Sequence, residues 1–369
     1  MATQSEEMDQ DTAFRLFEEG ATFVFLDVPV GTEFGIDYNI WNVAEKFKGV
    51  KMIPPGVHFV HYSATSCYGT GPRTGFFHYF KGKEVLVKKW DKQNEEISNE
   101  TVSVEEVERI KMDLRNLDKN LAPYPYKSLK KWVSLTNYVS EDVVNRLKPE
   151  SGVIASASQL VPDAPTKTTE QRASLRSQPP ADDNLPKMHC KPGTKINFSK
   201  IPKETHPPNA TPNQVTKYGM DSSFRLEMLV SLNYSGHMTS VLSEIQFVFI
   251  CFIVGHVYDA FEQWKNLIHI MCTSEEAMTN QQKLFEDFIS VLHFQLKEVP
   301  TDFFVDIVSR SNFLTITLQR LFSNIEDGSN MSTGLTEKAR KFKANLMKRF
   351  KWDFDVEPED EAPVMVECN

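Results

Sequence analysis

Cysteine is scarce and scattered. The 369-residue chain holds five (Cys67, Cys190, Cys251, Cys272 and Cys368), an odd number with no CxxC spacing. That argues against a disulfide framework and against a cysteine-based zinc site, and it fits a reducing compartment. Long apolar runs are missing as well. The longest, Phe247–Val254 (FVFICFIV), falls far short of the roughly 20 residues that a bilayer needs, so it reads as a buried helix. The opening MATQSEEMDQDTAF is acidic and polar and is expected to be neither a secretory signal nor a transit peptide. Without secretion, N-x-S/T triplets such as Asn197-Phe198-Ser199 carry no meaning. No internal repeat is visible.

The familiar catalytic signatures are also missing: GxxxxGK[ST], GxGxxG after a strand, HExxH and GxSxG. HCKPG (189–193) sets a histidine beside a cysteine, but in a stretch with nothing to orient either one. No cofactor and no metal are therefore expected, and the chain reads as a non-enzyme.

What is present is ordinary in bulk: 40% hydrophobic and 25% charged residues, with 26 phenylalanines that favour large buried aromatic contacts. The net charge of −9 is uneven. From Asp353 to the end stand seven carboxylates (Asp353, Asp355, Glu357, Glu359, Asp360, Glu361, Glu367) and no Lys or Arg. Just before them, residues 337–351 (EKARKFKANLMKRFK) carry seven basic residues against one acid.

Residues 148–213 hold eleven of the twenty prolines and almost no aromatics. Such a stretch cannot bury enough apolar area to offset chain entropy, and it reads as a mostly disordered or loosely draped linker. It separates an N-terminal part (1–147) from a helical part (214–350) and a tail (351–369).

The first part reads as α+β: a small sheet or barrel with helices appended. Asp11–Glu19 suits a short helix ended by Gly20; 21–28, 57–63, 73–80 and 84–90 are β-rich, with KGK (81–83) as a hairpin turn. Ser103-x-x-Glu106 predicts a capped helix striped by Val104, Val107, Ile110, Leu114, Leu117 and Leu121. LKKWVSLTNYVSEDVVNRL (129–147) adds one or two helices, the second capped by Ser140. In the second part, Thr273-x-x-Glu276 predicts the start of a helix striped by Leu284, Phe288, Val291 and Leu292. Amphipathic segments over 239–271, 301–323 and 335–350 complete an antiparallel bundle or a stack of helical hairpins.

Candidate sites are few. His58 and His61, in GVKMIPPGVHFVHYS (49–63), lie three apart on a proline-launched strand. Their imidazoles should point to opposite faces, one inward and hydrogen-bonded, one outward, and so share no metal. GTEFGIDYN (31–39) reads either as a shaped surface loop built on Gly31, Glu33, Phe34, Gly35 and Asp37 or as a tight turn with Phe34 packed inward. PYPY (123–126) reads as a stiff link between helices or as a polyproline-type ligand. The basic segment 337–351 offers either an acid-binding surface or a solvated helix face, with the acidic tail able to occupy the same patch. In the tail, Lys351 precedes Trp352, Phe354 and Val356, which alternate with acids, and Val364 and Val366 alternate again. This is the pattern of a strand seeking a sheet edge, the chain's own or a partner's. Ser174 in QRASLRS sits between Arg172 and Arg176, a plausible kinase context.

Longer blocks point to a family. GTEFGIDYNIW (31–41), GVKMIPPGVHFVHYS (49–63), PYPYKSLKKWVSLTN (123–137), FVFICFIVGHVYDAFEQWKNLI (247–268), PTDFFVDIVSRSNFL (300–314), FKWDF (350–354) and PEDEAPVMVE (358–367) resemble an animal member of the Aar-two splicing-factor family. The resemblance covers nearly all of the chain outside the linker. It implies a β-rich domain, a linker, a VHS-like helical domain and a tail able to add strands to a partner. It also implies a chaperone-like assembly factor of the U-five small nuclear ribonucleoprotein. Such a factor binds the Prp-eight scaffold at its RNase H-like and, in some members, Jab/MPN domains, and keeps the Brr-two helicase off until maturation. The expected protein is then a monomer of cytoplasm and nucleus, contacting neither nucleic acid nor membrane directly, with Lys351, Trp352, Phe354, Val356, Val364 and Val366 as the partner-binding set. Two other classes stay open: a membrane-traffic adaptor, on the VHS-like fold alone, and an enzyme using the N-terminal sheet, for which His58 and His61 would be the residues to test.

Overall fold

The structure, a computed structural model, describes residues 10–66, 69–98, 100–157, 160–162, 188–190, 193–301, 303, 313–328 and 330–354. It divides into two compact units: Met1–Ser128 with Val144–Asn197 and Val254–Val257, and Leu129–Val143 with Phe198–Ile253 and Tyr258–Asn369.

In the first unit, aromatics at every second position build a core between two sheets. Helix α1 (Gln10–Glu19) leads into β1 (Ala21–Leu26), followed by β2 (Glu33–Ile36), β3 (Asn39–Asn42), β4 (Gly49–Ile53) and β5 (Gly56–Ser63). The short pair β6 (Thr65–Ser66) and β7 (Gly69–Thr70) precedes β8 (Thr74–Phe80), β9 (Val85–Asp91) and β10 (Glu96–Ile97). Helix α2 (Val104–Leu117) is followed by β11 (Leu121–Pro123), and β12 (Ile154–Ala155) comes later. One sheet runs β10-β9-β1-β4-β11, and the other β12-β8-β5-β2-β3. Period-2 alternation puts Phe23 and Phe25 on one face of β1, where Phe23 stacks on Phe34 at 5.9 Å and Phe25 meets Tyr62 at 6.1 Å and Trp90 at 5.9 Å. Each such pair adds about 0.5–1.5 kcal/mol beyond the area it buries.

KGK is not a hairpin turn. β8 pairs with β5 in one sheet, whereas β9 pairs parallel with β1 in the other, Thr22 opposite Val85. The turn at Lys81–Glu84 is real, but its amides tie it to the α1–β1 junction: Lys83 N–H donates to Glu19 O and Thr22 N–H to Glu84 O. Those bonds steer β9 across to β1.

Ser103 caps α2 as expected, accepting from Glu106 N–H at 3.2 Å. The stripe is another matter. No residue of α2 is fully buried, Val104 is exposed, and Val107, Ile110, Leu114 and Leu117 are half-covered. Leu121 lies beyond a 3-10 turn (Asp118–Asn120), in β11, which pairs parallel with β4.

The second unit is helical throughout. It takes in α3 (Leu129–Thr136), which sequence alone grouped with the N-terminal part but which packs on two later helices, α7 and α10. After α4 (Glu141–Leu147), which the division cuts at Val144, and the short strands β13 (Leu160–Pro162) and β14 (Met188–Cys190) of the first unit, the second unit continues with α5 (Pro212–Met220), α6 (Ser223–Asn233), α7 (Ser240–Ile253), α8 (Tyr258–Cys272), α9 (Glu275–Asn280), α10 (Gln282–Glu298), α11 (Phe313–Asp327) and α12 (Thr333–Phe350). Helix α7 carries the longest apolar run as far as Ile253, and Val241 to Cys251 are all buried. Among the described residues, no helix is long and apolar enough to cross a membrane.

The expected cap at Thr273 is replaced by one from a distance. The chain breaks into α9 and α10, and Asp221 accepts the N–H groups of Glu275 (3.1 Å) and Glu276 (3.2 Å), while the Thr273 hydroxyl donates to His269 O. A carboxylate at a helix N-terminus complements the dipole better than a hydroxyl, which is why the distant residue wins.

The end of the proline-rich stretch is not loosely draped. Buried Glu244 on α7 accepts Ser199 N–H at 2.9 Å, Ser199 Oγ–H at 2.5 Å, Tyr234 O–H at 2.9 Å and Gln263 Nε2–H at 3.1 Å. A buried carboxylate with four donors straps that segment down, a contact made of one serine that composition cannot show.

Candidate functional site

Residues 31–39 lead into the β2–β3 hairpin and form its first strand and tip. Phe34, Gly35 and Asp37 are buried, whereas Gly31 and Glu33 are half-covered, so the surface-loop reading gives way to a tight turn with Phe34 packed inward. Asp37 takes the left-handed backbone (φ 56°) at the tip, a conformation that short polar residues tolerate best. Its carboxylate turns into the unit. Oδ1 accepts Phe59 N–H at 3.0 Å, and Oδ2 accepts Tyr124 O–H at 2.6 Å and meets His58 Nδ1 at 2.7 Å. His58 Nε2 lies 2.8 Å from Pro54 O. Both ring nitrogens thus face acceptor oxygens, and every polar atom of this cluster is occupied by protein. Burial and the Asp37 charge push the Tyr124 phenol well above its usual range. The same burial raises its neighbour Tyr126 to about 12.

His58 and His61 do take opposite faces of β5, yet neither points outward: both are buried. Tyr62 and His58 share the face toward the inter-sheet core, and Phe59 stacks with His61 on the other at 5.7 Å. The outward prediction fails because β5 is third of five strands and covered on both sides. His61 Nε2–H donates to Asp37 O at 3.2 Å, and its ring leaves so little room that a Cβ on Gly35 would sit 2.1 Å from Cε1. Burial first, and the Arg73 charge second, hold His61 down at about 3.

The second candidate region is the end of the helical unit. Ser332 caps α12 through Leu335 N–H, and the amphipathic segment expected over 335–350 buries Leu335, Ala339, Phe342, Leu346 and Phe350. Lys351 closes the helix in the left-handed conformation (φ 60°), its N–H donating to Met347 O. Trp352 then stacks on Phe350 at 4.5 Å, half-buried, and Phe354 is buried edge-on against Phe322 of α11 at 5.1 Å. The two aromatics expected to anchor a partner are therefore held by their own unit. The chain from 351 to 354 docks on α11 and α12, neither of the two sheet edges considered. Val356, Val364, Val366 and Ser174 lie outside the described residues.

Beside this exit lies a groove of about 420 Å³ between α10 and α12. Its floor is Leu296, Phe342, Leu346 and Phe350, and its rim is His293, Lys297, Asn345, Lys348 and Arg349. Arg349 donates to Lys297 O (2.9 Å) and Val299 O (3.1 Å), closing the C-terminal end of α10 with a cation where the helix dipole favours one. Sequence reasoning saw the basic α12 side but missed the other wall, because His293, Leu296 and Lys297 come from α10, about fifty residues upstream. The only available signal was the excess of cations in 337–351.

Among the described residues no group of three or more His, Cys, Asp or Glu side chains could hold a metal ion. Comparison with known proteins places the chain firmly. Residues 19–149 match the AAR2 N-terminal domain, and residues 198–355 the AAR2 C-terminal repeat region. The mouse and human proteins named "Protein AAR2 homolog" are each 46% identical to it, with 98% of this chain and 97% of theirs aligned. The nematode Caenorhabditis elegans protein of that name is 41% identical over 92% of this chain and 96% of its own. The chain belongs to the AAR2 family.

Proposed function

We propose that this protein is a non-catalytic splicing assembly factor that occupies a surface of Prp-eight during U-five particle biogenesis and delays loading of the Brr-two helicase. Membership of the AAR2 family across nearly the whole chain carries the reading. The Asp37–His58–Tyr124 cluster supports it, because these buried polar groups are bonded to one another and brace the hairpin instead of facing a substrate. On this reading Val356, Val364 and Val366 add a strand to the partner, while Trp352 and Phe354 fix the root of that strand to the helical unit. The protein acts as a monomer in cytoplasm and nucleus.

The test is affinity purification of the full chain from nuclear and cytosolic extracts, followed by calorimetry with the recombinant RNase H-like domain of Prp-eight. Prp-eight recovered without Brr-two, and a saturable isotherm, are expected. Recovery of Brr-two in equal amount, or no heat of binding, defeats the proposal.

A further inference from the structure

We infer that the α10–α12 groove is a docking site for the chain's own acidic tail, residues 355–361. The groove is apolar at its floor and cationic at its rim. Lys297 and Lys348 are exposed there, no carboxylate stands among its lining residues, and among the described residues neither lysine has a carboxylate partner. The segment that follows Phe354 has the opposite character: Asp355, Glu357, Glu359, Asp360 and Glu361 surround one apolar residue, Val356, and no cation occurs after Lys351.

Position agrees with charge. Phe354 touches Phe322 at 5.1 Å, Phe322 touches Phe342 at 6.1 Å, and Phe342 is part of the groove floor, as is Phe350, on which Trp352 stacks. Seven extended residues reach about 23 Å, more than enough to cross from the Phe354 side of α12 to its α10 side. Because the tail is tethered, its effective concentration at the groove lies in the millimolar range, so even a weak contact is populated. Exposed charge pairs are screened by salt, so the contact is expected to open at high ionic strength. The inference goes beyond the proposed function and concerns the isolated chain alone.

Zero-length carbodiimide cross-linking of the full chain at low concentration, read by peptide mass spectrometry, tests it. Expected are intramolecular links from Glu357, Glu359, Asp360 or Glu361 to Lys297 or Lys348, lost at about 1 M salt. The Glu337–Lys341 ion pair on α12, at 2.7 Å, supplies an internal control. A control link without tail–groove links overturns the inference, as do links that form only between two copies. A second measurement uses a labelled 355–369 peptide. It should bind the full chain carrying Glu357→Gln, Glu359→Gln, Asp360→Asn and Glu361→Gln roughly tenfold more tightly than wild type, since the native tail competes for the groove. Lys297→Gln with Lys348→Gln should abolish that binding. Equal affinity for wild type and the neutralised chain overturns the inference.

Discussion

His58 Nδ1 lies 2.7 Å from the Asp37 carboxylate, 21 residues earlier, and the two residues hold the β2–β3 hairpin tip against β5. Removing the acid would strand the imidazole, the Tyr124 hydroxyl and the Phe59 amide together in a buried space. Asp37→Ala should therefore cost about 3–5 kcal/mol of unfolding free energy in urea titration. Asp37→Asn, which tolerates the left-handed backbone and keeps one acceptor, should cost less. Equal losses would show that neither the retained backbone conformation nor a single acceptor helps, so that the full carboxylate is required.

Acid should weaken the first unit through His61. Its folded value is about 3 against an ordinary 6.5, so between those values the unfolded chain binds a proton that the folded chain refuses. Stability is then complete above pH 6.5 and falls as pH drops, by up to about 1.4 kcal/mol per pH unit from this group. Burial lowers His256, His269 and His293 in the same sense. His61→Phe should flatten the slope between pH 6.5 and 4.5 without removing it. An unchanged slope would dismiss His61 as a source.

Gly35 and His61 compete for one volume. Gly35→Ala should cost about 1–3 kcal/mol by overpacking, and His61→Ala should relieve part of that cost in a double-mutant cycle, the Asn39 carbonyl, 2.8 Å from the added Cβ, keeping the rest. Additive losses would count against the contact.

Phe354 and Trp352 should separate by burial. Phe354→Ala should cost about 3 kcal/mol or more of stability, and Trp352→Ala, half-covered on Phe350, clearly less. Thermal denaturation of the two variants decides; equal shifts would place both rings in the core alike.

Ser199→Ala should loosen the strap on Glu244 by about 1.5–3 kcal/mol, the scale of a hydrogen bond to a charged group. Hydrogen exchange at residues 196–200 should accelerate while α7 stays protected.

Local signals carried most of the elements. Alternating Phe23 and Phe25, the Ser103 cap and the Leu335–Phe350 stripe are written within a few residues of one another, where propensity and period act. The pairings that position the site are not. Asp37 meets His58 and Tyr124 across 21 and 87 residues, Asp221 caps α9 across 54, and Ser199 reaches Glu244 across 45. No spacing rule spans such distances. The same limit explains KGK: a turn was legible, but the choice of β1 over β8 as partner for β9 rests on the Lys83 and Thr22 amides, which donate to the carbonyls of Glu19 and Glu84.

The order β10-β9-β1-β4-β11 has a consequence for synthesis. β1 must wait for Val85–Asp91 before its parallel neighbour exists, and β4 must wait for Leu121–Pro123. A nascent chain released from the ribosome at residue 100 would carry β4 with one side bare, a sticky margin exposed to other chains. Only once Pro123 has emerged can that sheet close, so premature termination in this region should yield aggregates rather than a smaller folded piece.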